Sequence, residues 1–169
     1  MLKVLSPKLR SKESPRQIIF EDFKSLGTEL PIKGGWGYEI NDAVIINKND
    51  PIVSQSMPFN FTAIEKIFVE KRIYEELIIF REDNQKHSGI EWKLESQKLI
   101  RKGNNSYDVL SYLVTAIPDV DWEILKAEFM DNNGFSDSKE SYNAHMEKKH
   151  NKTIFYSTEY WFDITSCKK

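Results

Sequence analysis

Four groups of residues have types that could do chemistry. Gly34-Gly35-Trp36-Gly37 resembles a phosphate loop in its glycine content, but a nucleotide site needs those glycines between a strand and a helix N-terminus. It also needs a lysine or a ribose-binding acid at the proper offset, and neither is present. The glycines are better explained as a tight loop that lets Trp36 and Tyr38 pack. His145 and His150 are five apart, which on a helix separates them by ~140°. Ligand pairs sit three or four apart, and Lys148 and Lys149 would repel a cation there. Cys167 could be a nucleophile only with a base beside it, and the C-terminal Lys168 and Lys169 supply none. Asp119 and Asp121 could hold magnesium, but they also complement the dipole of a helix that starts there. The residues therefore predict no catalytic group, no metal and no cofactor.

The last apolar segment is more informative. Thr153 to Thr165 alternates, with Ile154, Tyr156, Tyr160, Phe162 and Ile164 on one side and Phe155, Ser157, Glu159, Trp161 and Asp163 on the other. Large aromatic area next to two carboxylates suits recognition of a basic protein, because aromatics supply buried area and carboxylates steer lysine- or arginine-rich surfaces. Phe155, Glu159, Trp161 and Asp163 are the expected partner-binding residues. Glu91 and Glu95, together with Glu75 and Glu76, would extend the acidic face if their strands are neighbours.

The elements that must position these residues follow from periodicity. Ile18, Ile19, Phe23 and Leu26 have helical spacing over Arg16 to Leu26, ending at Gly27. Ala43-Val44-Ile45-Ile46 reads as a short strand. Phe61 to Phe80 is ambiguous, and alternation from Ile73 to Arg81 favours a strand there. Ile90 to Ile100, a turn at Lys102-Gly103-Asn104-Asn105, and Tyr107 to Ile117 form a long hairpin whose second strand is apolar on both faces. Helices are expected over Val120 to Met130 and Ser138 to His150. This is an α+β pattern: an antiparallel sheet of about four to six strands with a long central hairpin, packed against two to four helices.

With 169 residues, 40% of them hydrophobic, the chain can bury one core without disulfides. A single cysteine excludes an internal disulfide and favours a cytoplasmic address. No apolar run is long enough to span a membrane. Lys3, Lys8, Arg10, Lys12 and Arg16 against Glu13 give the first sixteen residues a charge of 5 − 1 = +4, so the remainder carries −2 − 4 = −6. Ser6-Pro7 and Ser14-Pro15 disfavour regular structure, so residues 1–15 are expected to form a mobile basic arm before a single domain over 16–169. Only five of the 24 basic residues are arginine, which argues against a phosphate-gripping surface.

The blocks Leu30 to Tyr38, Asp42 to Pro51, Phe68 to Phe80 and Thr158 to Ser166 resemble those of small bacterial immunity proteins, encoded beside polymorphic or contact-dependent inhibition toxins. The resemblance covers about residues 29–166 and implies a cytoplasmic protein that binds and blocks one cognate basic toxin domain; it carries over no catalytic residue. The alternatives from other classes are a small hydrolase or nuclease whose pocket spacing cannot reveal, and a nucleic-acid-associated accessory protein using the arm.

Overall fold

The computed structural model describes residues 1–27 and 29–168. The chain forms β1 (Leu2–Lys3), α1 (Pro15–Asp22), β2 (Ile32–Gly34), β3 (Val44–Ile46), α2 (Phe61–Tyr74), β4 (His87–Lys102), β5 (Asn105–Pro118), α3 (Asp119–Asp131), α4 (Lys139–Lys152) and β6 (Ile154–Asp163). Four helices and a six-stranded sheet make it α+β, as its periodicity predicts. No helix among the described residues is long and apolar enough to cross a membrane.

The sheet is mixed rather than purely antiparallel. Its order is β2-β3-β6-β5-β4, with β1 also on β6. One edge of β6 pairs antiparallel with β5 along its whole length. The other edge is shared by two short parallel partners: β1 opposite Ile154 and Phe155, and β3 opposite Phe162 and Asp163. Between them, the glycine loop braces the strand through its backbone, since Gly37 accepts from the Trp161 N–H at 2.7 Å and donates to Asp42 O at 2.6 Å. A Cβ at Gly35 would lie 2.1 Å from Asp42 Oδ1, so this loop needs glycine for close approach.

Alternation along β6 sends Tyr156, Tyr160 and Phe162 into the main core, where each is at most 1% exposed. The α2 helix crosses that inner face, and the Phe68 ring meets Tyr160 and Phe162 edge-on at 6.3 and 5.5 Å. Asn60 caps α2 by accepting from the Ala63 N–H.

The strand expected from Ile73 to Arg81 is instead a continuation of α2 through a π-helical turn at Glu75–Ile79. The reason is a buried ion cluster that only helical spacing can make. Arg72 reaches Glu75 and Glu76, three and four residues on, and all three side chains are fully buried. The alternation of apolar residues there comes from a helix buried nearly all round, with Ile73 and Leu77 in the core.

Of residues 1–15, expected as a mobile arm, 2–4 run beside β6 and Leu9 and Arg10 contact other elements. Leu2 and Val4 N–H groups bond to β6 carbonyl neighbours Thr153 and Phe155 at 2.8 and 2.9 Å. Further on, the Leu9 carbonyl accepts from Arg72 Nη2 and lies 3.0 Å from Tyr38 Oη, and Arg10 pairs with Asp42 at 3.0 Å.

Candidate partner-binding surface on the outer sheet face

The outer face of the sheet, opposite α2, is a ladder of cross-strand rungs set by register. Asp163 lies beside Tyr107, Trp161 beside Val109, Glu159 beside Ser111, and Phe155 beside Thr115. The ladder continues into β4, where Lys98 faces Val109, Ser96 faces Ser111 and Glu91 faces Thr115. A bulge between Leu94 and Ser96 leaves Glu95 without a partner residue across the strand.

The six expected residues are thus carried by two strands separated by β5. Glu91, Glu95 and Glu159 are exposed, while Phe155, Trp161 and Asp163 are half-buried. Trp161 is held from two directions: its backbone by Gly37, and its ring edge-on to Tyr107 at 6.3 Å. Ser111 Oγ donates to Glu159 at 3.2 Å, and the Thr165 N–H donates to Asp163 at 2.9 Å. Among the described residues none of Glu91, Glu95, Glu159 and Asp163 has an ion-pair partner, unlike Asp42, Asp50 and Glu128 elsewhere on the body.

Glu95 and Glu159 come together with Ser96, Ser111 and Ser157 in a cleft of about 570 Å³, whose near wall is Ser6 and Lys8 of the N-terminal segment. That wall was not legible in the sequence, where the segment reads as a detached basic arm. The contributions of Tyr107, Val109 and Ser111 were missed as well. Their signal was the apolar content of β5 on both parities, which marks a covered strand but gives no register.

Glu75 and Glu76 do not extend this acidic face. They lie across the sheet from it, buried against Arg72, because the segment that carries them is helical. Tyr38 Oη donates to Glu76 Oε1 at 2.6 Å and Tyr160 Oη to its Oε2 at 3.1 Å. Trp36 stacks on the Arg72 guanidinium at 4.3 Å. Burial pushes the carboxyls up, to about 8 for Glu75 and about 7 for Glu76, and the guanidinium pulls against that.

A second buried acid pair joins α2 to the sheet. Glu65 is fully buried, and neither of its oxygens nor Asp108 Oδ1 has a donor. Gln97 Nε2 reaches Asp108 Oδ2 at 2.5 Å. Burial, reinforced by the Asp108 charge, lifts Glu65 to about 8, so at neutral pH it is the protonated member and supplies the missing donor. The geometry joins two elements.

His145 belongs to packing. It is 5% exposed and stacks between Phe129 and Phe135 at 5.6 and 5.0 Å, clamping α3 to α4. Among the described residues no three His, Cys, Asp or Glu side chains gather as a metal would need. Searches against family models, curated proteins and solved structures return no match to the chain.

Proposed function

We propose that the protein is an immunity-type inhibitor of a bacterial toxin system, which binds a basic toxin domain in the cytoplasm and occludes it with the outer sheet face. The observation that carries the reading is the combination of a half-buried, braced Trp161 with four carboxylates that have no ion-pair partner among the described residues. A carboxylate already paired within the molecule has its charge partly offset, whereas these remain available for lysines and arginines of a partner. Trp161 and Phe155 provide anchoring area at low conformational cost, and the sheet beneath them holds the spacing fixed. The unpaired carboxylates of this face steer a basic partner, so association is fastest at low ionic strength. The resemblance of the blocks around Trp36, Ile45 and Trp161 to immunity proteins supports the same reading.

The decisive measurement is the affinity of the full chain for the toxin domain encoded beside it, by calorimetry. The triple substitution E159A/W161A/D163A is expected to weaken binding by at least about 100-fold. Unchanged affinity in a variant with an intact circular dichroism spectrum overturns the placement on this face.

A further inference from the structure

On the other side of β6 from the acidic cleft, a separate cavity of about 260 Å³ lies where the N-terminal segment crosses the end of α2. Its body is apolar, formed by Val4, Pro7, Leu77 and Ile154, with the exposed Leu5 at its rim. Its polar lining consists of three side chains: Arg81, His87 and Tyr156.

Each of the three is unusual for a structural role. Tyr156 is 1% exposed, and its hydroxyl, buried, has no hydrogen-bond partner. A buried orphan hydroxyl is costly and calls for a partner. Arg81 is half-buried yet has no carboxylate within ion-pair reach among the described residues, whereas the likewise half-buried Arg16 and the fully buried Arg72 each have two. Its Nε donates to the Glu76 carbonyl at 2.8 Å, which fixes the guanidinium plane and leaves both terminal nitrogens for another acceptor. The His87 Nδ1 is buried without a partner too.

The backbone is shaped to bring these groups together. The π-helical turn at Glu75–Ile79, closed by the Phe80 N–H on Glu75 O at 2.8 Å, re-aims the residues after it relative to a regular α-helix. Leu77 and Arg81 enter the same cavity from that turn. Such turns recur at functional sites.

We propose that this cavity is a binding site for a small aliphatic carboxylate, with the carboxylate on Arg81, Tyr156 and His87 and the alkyl part against Val4, Pro7, Leu77 and Ile154. One guanidinium matches one negative charge; a phosphate dianion would leave a charge uncompensated in a largely apolar lining. The volume corresponds to roughly eight water-sized units, the size of a branched five-carbon acid. Burial lowers the His87 pKa, against backbone contacts at Leu77 and Gln85 that raise it, so the charge that meets a carboxylate is provided by Arg81.

The test is a titration of the full ¹⁵N-labelled chain with sodium isovalerate, with isopentylamine and inorganic phosphate as comparison probes. Saturable shifts confined to residues 4–7, 77–81, 87 and 154–156, with a Kd of about 1 mM or tighter for isovalerate alone, are the expected result. Tyr156→Phe, which keeps the ring, should weaken binding about five- to tenfold, and Arg81→Gln by at least about fiftyfold. Absence of saturable shifts with isovalerate overturns the proposal. So does equal binding of isopentylamine, which removes the carboxylate, or of phosphate, which removes the apolar part. Should Arg81→Gln unfold, Tyr156→Phe decides alone: unaltered affinity in that variant places any binding elsewhere.

Discussion

The two faces of the central sheet carry the same residue types under opposite conditions. On the inner face Glu65, Glu75, Glu76 and Asp108 are buried and matched to one guanidinium, three hydroxyl or amide donors and the proton on Glu65. On the outer face Glu91, Glu95 and Glu159 are exposed and Asp163 is half-buried, and among the described residues none of them has an ion-pair partner. The difference teaches that an acidic residue in this chain says nothing by itself. The inner acids hold α2 on the sheet at a desolvation cost that only their mutual arrangement offsets. The outer acids cost almost nothing to the fold and are free to act on a partner.

Substituting Arg72 by Met attacks the inner face most directly, since it leaves two buried carboxyls without their cation. A loss of about 3–5 kcal/mol in urea unfolding is expected. A loss below 1 kcal/mol would remove the contrast between the faces. Deleting residues 1–10 takes away the Leu9 carbonyl from Arg72 and Tyr38 and the β1 pairing; the expected cost is about 2–3 kcal/mol by the same measurement.

The Glu65–Asp108 pair gives the inner face a pH signature. The folded-state pKa of Glu65, about 8, lies above its ordinary value of 4.5, so between those limits the folded chain binds more protons than the unfolded one. Stability from this pair is full below pH 4.5 and declines as pH rises through 8. Glu65→Gln, which cannot ionise, should stay close to the native chain at pH 5 and exceed it by several kcal/mol, at most about 4, at pH 9. Unfolding curves at the two pH values check it. The smallest stability effect belongs to the outer face: Glu91→Ala and Glu95→Ala should each change unfolding free energy by less than about 0.5 kcal/mol. They should nonetheless slow association with a basic partner and flatten its salt dependence, read by stopped flow.

β4 and β6 were legible because their apolar residues alternate, β5 because it is apolar on both parities, and α3 because acids in its first turn and Gly134 beyond it mark its ends. The end of α2 was not. Its buried face carries Arg72, Glu75 and Glu76, and a pattern reading that assigns charges to solvent turns such a helix inside out. The docking of residues 1–10 was hidden for a different reason, since it depends on the backbone carbonyl of Leu9 and the backbone pairing of Leu2 and Val4, which leave no side-chain signature. At the candidate surface the alternation of β6 separated Glu159, Trp161 and Asp163 from the core residues correctly. Which β5 and β4 residues stand beside them is a matter of register, fixed here by pairings such as Trp161 with Val109 and by the bulge at Glu95.

The shared edge of β6 also sets an order of events in time. Leu2 pairs with Ile154 and Val44 with Phe162, so segments that leave the ribosome early meet their partner strand only after more than a hundred further positions have been made. The β4–β5 hairpin can form meanwhile from neighbouring sequence. Closure of the inner core waits for β6, and until then Tyr38, Phe68 and Arg72 have no Tyr160 or Phe162 to pack on. The inner core therefore stays open until β6 has been made and closes in a late step governed by that one strand.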